Sequence, residues 1–206
     1  MKGLFITFEG PDGSGKSTQI TRLREYLLSR GYDVLLVREP GGTRISEQIR
    51  SVILDTDNKG MNPICEAMLY AASRAQLTHQ VIMPALEEGR MVIADRFVDS
   101  SIVYQGYARG LGEEMVKTIN SYATEGLEPD VTFLINIPAE VGIARKSNQK
   151  KLDRLEQESI EFHKKVHEGY DRLKSGKSRM IEIDGTKNRE DIQREIVEII
   201  REKIKG

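Results

Sequence analysis

Cysteine is almost missing: Cys65 is the only one in 206 residues. That excludes an intrachain disulfide, and with it a disulfide-stapled secreted scaffold. A reducing cytoplasm is the expected setting. No apolar run reaches the roughly 18 residues of a membrane-spanning helix. Met1-Lys2-Gly3 leads straight into a short apolar segment, without a signal-peptide cleavage pattern. Neither a leader nor a membrane partner is therefore expected. Net charge is small, at −1, and gives no reason to expect nucleic acid as a partner. Linkers, low-complexity tracts and internal repeats are absent, so residues 1–206 read as one domain with a sizeable core. His79, His163 and His167 lack the spacing of a three-ligand metal site. His163 and His167, four apart, suit a surface helix.

What is present is a regular alternation. Residues 3–9 form a short apolar run, followed by a glycine loop and a helical pattern over 16–30 carrying Ile20, Leu23, Leu27 and Leu28. Further strands are expected at 33–38, 91–94, 131–137 and 180–183. Helices are expected at 43–54, 63–88, after 113, and at 189–205, where Ile192, Ile196, Ile199 and Ile200 recur at helical spacing. Strands this short and this uniformly apolar are covered on both faces. The pattern predicts a three-layer α/β fold around a five-stranded parallel sheet.

The strongest motif is Gly10-Pro11-Asp12-Gly13-Ser14-Gly15-Lys16-Ser17, a full G-x-x-x-x-G-K-[ST] between a strand and a helix, with Thr18 next. Glycines let backbone N–H groups turn inward around phosphate oxygens, and the helix N-terminus adds partial positive charge. Lys16 suits the β- and γ-phosphates of a nucleotide, and the Ser17 hydroxyl suits Mg²⁺. The motif implies nucleoside triphosphate binding and leaves the acceptor open.

Glu9, Arg38 and Asp95 each end an expected strand. In an open parallel sheet such ends surround one crevice. Asp95 reads either as a metal-side acid of Walker B type or as a helix cap. Arg96 beside it offers a cation. Tyr70 and Arg74 share a helix face, which suits either a stacked base or a ridge packed on the sheet. A guanine-reading N-K-x-D motif is missing, which argues against a GTPase.

Several blocks together resemble bacterial thymidylate kinases over about residues 4–200. They are Phe8 to Thr18, Arg38-Glu39-Pro40-Gly41-Gly42-Thr43, Tyr70-Ala71-Ala72-Ser73-Arg74, Asp95-Arg96-Phe97 with Ser100-Ser101 and Tyr104-Gln105-Gly106, and Leu152-Asp153-Arg154-Leu155-Glu156. The resemblance implies transfer of the γ-phosphoryl group of ATP to dTMP with Mg²⁺, held by Ser17 and Asp95. Arg38 and Arg96 would hold the dTMP phosphate, assisted by Arg50. Tyr70 would stack on thymine and Arg74 would bond a thymine carbonyl. Ser101 and Gln105 would read the remaining base edge, and Tyr104 would crowd the ribose 2′ position. Asp12 would meet the sugar 3′-hydroxyl or the metal shell. A homodimer and a cis Glu39-Pro40 bond are also implied.

The stretch 145–156 has basic residues and little to bury, so it reads as a short lid or as a solvated helix face. The middle of the lid, Ser147-Asn148-Gln149-Lys150-Lys151, contains no arginine. Three candidates remain for the catalytic cation: Arg145, Arg154 or a lysine such as Lys150.

Overall fold

Five short runs become strands, and in β1 and β4 burial runs almost unbroken because both faces are covered. The structure, a computed structural model, describes residues 3–138, 140–142, 145, 152–175 and 177–205. The strands are β1 (Phe5–Glu9), β2 (Val34–Arg38), β3 (Met91–Asp95), β4 (Val131–Asn136) and β5 (Met180–Asp184). All pair in parallel, in the order β2-β3-β1-β4-β5. The register sets Arg38 opposite Asp95, and Asp95 opposite Phe8. Three carboxyl ends thus finish level, one residue from the phosphate loop.

Helices α1 (Lys16–Ser29) and α8 (Arg189–Lys205) cover one face, meeting the sheet through Ile20, Leu23, Leu27, Ile192, Ile196 and Ile200. The other layer comprises α2 (Arg44–Leu54), α3 (Pro63–Leu77), α4 (Met83–Glu87), α5 (Val98–Ser101), α6 (Glu113–Thr124) and α7 (Ile160–Leu173). This is the expected three-layer α/β fold.

Two helical details differ from expectation. The single helix expected over 63–88 widens at Thr78–Ile82 into a π-helical turn, where Met83 N–H bonds Thr78 O. Pro84 is the cause: it has no N–H, and its ring clashes with the carbonyl four residues back. Helix α5 continues as a second π-helical stretch, Ile102–Ala108, where no helix was expected. The glycine, tyrosines and β-branched residues there are weak helix formers. Burial between α6 and α7, and a cap described below, hold it in place.

The Glu39–Pro40 bond is cis, as the resemblance implied. No described helix is long and apolar enough to cross a membrane.

Candidate active site

The phosphate loop takes its shape from glycines that nothing larger could replace. Gly10 has φ 132° and an added Cβ would lie 2.3 Å from Ile135 O. Gly13 has φ 77°, and there a Cβ would lie 2.8 Å from Gly142 O. Pro11 and Ser14 are buried in the turn, and Gly15 (φ 98°) leads into α1, where Thr18 lies in the first turn. Lys16 is buried, and its Nζ donates to Gly10 O and Pro11 O, both at 2.9 Å. Burial, with Arg96 nearby, lowers its pKa to about 8. Ser17 Oγ stands 3.5 Å from Asp95 Oδ2.

Beside the loop opens a cavity of about 320 Å³. Its walls include Asp12, Ser17, Arg38, Arg50, Tyr70, Arg74, Asp95, Arg96, Ser101, Tyr104 and Gln105. These expected residues, scattered from the first loop to the second π-helical stretch, therefore share one space. The wide turn after α5 lets Ser100, Ser101, Tyr104 and Gln105 all face it.

Cations converge there. Arg38 Nη1 and Arg50 Nη1 donate to the same oxygen, Pro40 O, at 2.9 and 2.7 Å. Glu47 pairs with Arg38 at 2.9 Å, while Arg50 is held below its usual pKa by burial and by Arg38. A second anion would relieve this crowding. Arg96 has φ 72°, rare for a residue with a side chain. Its guanidinium meets Asp12 Oδ1 at 2.7 Å, Ser100 Oγ and Tyr170 OH at 3.1 Å, and lies over the Tyr104 ring at 5.2 Å.

Behind this group stands Glu9. It was expected on the crevice wall but is fully buried beneath it. Its carboxylate accepts from Phe97 N–H at 2.8 Å, Ser100 N–H at 3.2 Å, Ser100 Oγ at 2.5 Å and Tyr170 OH at 3.0 Å. It thus caps α5 from the end of β1. A strand-end glutamate carries no signal of this in sequence, because its partners are far along the chain.

Arg74 is 1% exposed and every guanidinium nitrogen is engaged. Glu39 Oε2 accepts from Nε at 2.7 Å and pairs with Nη2 at 2.5 Å, Phe97 O accepts from Nη2 at 3.1 Å, Ser101 Oγ from Nη1 at 3.0 Å, and Asn120 Oδ1 also from Nη1. The thymine carbonyl contact implied for Arg74 therefore requires one of these partners to yield. Burial raises the pKa of Glu39 to about 7, partly offset by Arg74. Glu39, Ser100, Tyr170 and Asn120 were missed as site residues. Glu39, inside the Arg-Glu-Pro-Gly-Gly block, and Ser100, inside the block that starts at Asp95, had a sequence signal, whereas Tyr170 and Asn120 had none.

The far end of the expected lid, 152–156, is among the described residues. Residues 146–151, Lys150 among them, lie outside the described residues. Arg154, one candidate for the catalytic cation, is buried at that far end and bonded to the body of the fold. Its Nε donates to Ile53 O at 2.7 Å, its Nη2 lies 2.7 Å from Glu66 Oε2, and its side chain is 4% exposed. Leu155 beside it is buried too. Burial and an ion pair make Arg154 a tether. Arg145 is exposed, and its Nη1 donates to Gly13 O at 3.1 Å, on the phosphate loop itself. Arg154→Ala should accordingly lower stability by about 3 kcal/mol, the usual cost of breaking a buried pair, with kcat of the folded protein nearly kept. Urea unfolding beside single-turnover rates checks this; a catalytic Arg154 would give the reverse.

Comparison with known proteins accords with this geometry. A family model described as thymidylate kinase matches residues 8–196. The chain belongs to the thymidylate kinase family. The thymidylate kinase of Thermoanaerobacter sp. (strain X514) is 52% identical over 202 residues, covering 98% of both chains. That of Caldanaerobacter subterraneus subsp. tengcongensis is 53% identical, covering 100% of this chain and 99% of its own. The thymidylate kinase of Geobacillus sp. (strain WCH70) is 45% identical, with 100% of both covered.

Proposed function

We infer that this kinase transfers the γ-phosphoryl group of ATP to dTMP, giving dTDP and ADP. The observation that carries the reading is the single cavity in which Arg38, Arg50 and Arg96 meet Tyr70, Ser101 and Gln105 beside the phosphate loop. Three guanidinium groups suit an acceptor that brings its own phosphate. A ring with a hydroxyl and an amide suits a pyrimidine. The acceptor oxygen belongs to a phosphate already largely ionised at neutral pH, so no strong base is needed. Catalysis is then positioning and charge neutralisation. Arg38 and Arg50 hold the acceptor phosphate, and Arg96 screens it from the incoming one. Asp12, paired with Arg96, lies where a sugar hydroxyl would come, and Tyr104 crowds the ribose. Lys16 gives its hydrogens to the donor phosphates in place of the loop carbonyls.

Ser17 Oγ and Asp95 Oδ2 are hard oxygen donors within 3.5 Å of each other. Mg²⁺ takes few protein oxygens and completes its shell with water and phosphate, so this pair fits it. When bound, Mg²⁺ would neutralise charge on the donor phosphates.

A panel of acceptors with ATP tests the reading. dTMP should be turned over fastest, and a faster reaction with thymidine would refute the phosphate clamp. Arg145 is the described lid residue best placed to meet the transferred group. Arg145→Ala should lower kcat by about a hundredfold and change ATP KM little, as for an interaction formed mainly in the transition state. An unchanged kcat would leave neutralisation to Lys16, Arg38 and Arg96.

The enzyme also acts as a homodimer in the cytoplasm, in this reading. Ile45 and Val52 on α2, Ile64 and Met68 on α3, and Met115 and Tyr122 on α6 are exposed on helices that adjoin one another. A second copy of the chain would cover them. The lone cysteine suits a reducing compartment.

A further inference from the structure

Gln105 lines the acceptor cavity but is only 1% exposed, so the end of its amide that faces inward decides what it can read. One end is an acceptor oxygen and the other carries two donor hydrogens. That choice is made behind the cavity by Glu66 on α3. Glu66 is fully buried, and its Oε1 accepts from Gln105 Nε2 at 3.0 Å. Oε2 of the same carboxylate pairs with Arg109 at 3.0 Å and Arg154 at 2.7 Å. Burial pushes the Glu66 pKa up, but hydrogen bonds from Arg109, Gln105 and Arg154 outweigh it and leave it below the usual range. An ionised carboxylate has no proton to give, so only the NH₂ end of Gln105 can face it. Among the described residues no protein donor reaches Gln105 Oε1, which is left for the cavity.

We propose that Glu66 is a specificity-determining positioning residue, which locks the Gln105 amide with its oxygen toward the acceptor base and so selects a pyrimidine bearing a ring N–H. Thymine and uracil present N3–H to that oxygen. Cytosine presents a bare N3 lone pair, and two acceptors would then face each other in a dry site. Gln105 alone would not discriminate, because a half-turn of its amide suits cytosine equally well. Glu66 forbids the half-turn, and the mismatch becomes a penalty. This rests on the reading that the base lies against Gln105.

The experiment compares kcat/KM for dTMP, dUMP and dCMP, with ATP KM, in the wild type, Glu66→Gln and Gln105→Leu. A neutral amide at position 66 can donate or accept, which frees Gln105 to turn. The dTMP/dCMP ratio should fall by at least about tenfold, the worth of one hydrogen bond mismatched in a buried site. The dTMP/dUMP ratio and ATP KM should stay near wild type, since both bases carry N3–H. Glu66→Gln leaves the buried Arg154 guanidinium without its anion and the half-buried Arg109 with one anion fewer. Glu66→Gln/Arg154→Met therefore removes one cation with the carboxylate, while Arg109 keeps Glu158 at 2.6 Å. It should show the same fall. Equal losses for all three acceptors in both Glu66 variants would overturn the lock and leave Glu66 a purely structural anchor. Gln105→Leu separates the lock from the reading beneath it. An unchanged dTMP/dCMP ratio there would mean that the base does not lie against Gln105. A collapsed ratio in Gln105→Leu, with an unchanged one in both Glu66 variants, would overturn the lock alone.

Discussion

Lys16→Ala should lower kcat by about a hundred- to a thousandfold, corresponding to roughly 2.7–4 kcal/mol of transition-state stabilisation. The melting temperature should move by only a few degrees. Both expectations come from the same geometry. Lys16 is buried at the mouth of α1, and its described hydrogen bonds are to Gly10 O, Pro11 O and, weakly, Ser14 Oγ. Water can replace it on the two carbonyls, so the loop loses little. A dry cation aimed at phosphate oxygens has no such replacement. Its pKa of about 8 adds a second observable. A lysine is charged below its pKa, so kcat/KM for ATP, which reports the free enzyme, should fall as pH rises through about 8. Bound triphosphate favours the charged form, so the matching limb in kcat should lie at higher pH. A variant retaining more than about a tenth of wild-type kcat would show that Lys16 does not carry this charge.

How much of this could be read in the sequence depends on how far apart the partners lie. The phosphate loop is contiguous and its chemistry is spelled in order, so every residue of it was legible. The sheet was legible because most strands are apolar runs bounded by glycine, proline or charge. Arg38 and Asp95 could be placed together from strand ends alone, and the register puts them side by side. Glu9 obeyed the same logic and still went elsewhere. Whether a strand-end carboxylate faces the crevice or caps a helix depends on the path of the next segment, here Phe97–Ser100. Arg154 shows the same limit from the other side. Leu155 beside it hints at burial, but only the fold reveals Glu66 and Ile53 O waiting for it. The π-helical stretch over Ile102–Ala108 was hidden because weak helix formers are held there by tertiary packing. Family resemblance supplied the roles of Ser101, Tyr104 and Gln105. Geometry then added what resemblance did not contain: Arg74 is saturated, and Gln105 is held from behind.

Arg96 should be as indispensable as Lys16, and its backbone offers a way to prove the reason. The residue sits at φ 72°, a conformation that costs a bulky side chain about 1–3 kcal/mol. Glycine adopts it freely. A purely structural arginine would be a poor occupant of such a position, since replacing it with glycine would relieve the strain. The guanidinium is instead held on three sides, by Asp12, by Ser100 with Tyr170, and by the Tyr104 ring, all within the acceptor cavity or against it. Arg96→Gly is therefore expected to remain folded and to be more stable than Arg96→Ala by about 1 kcal/mol. Both should lose about a thousandfold in kcat/KM for dTMP, because two phosphates must then approach without the cation that screens them. Arg96→Lys should recover only part of the loss: an ammonium supplies the charge but not the planar fork that can hold Asp12, Ser100 and a phosphate oxygen together. Stability by denaturant and steady-state kinetics on the same preparations separate the two roles. A glycine variant that is both stable and within tenfold of wild-type activity would remove Arg96 from the transfer step and return its strained backbone to the list of features without a cause.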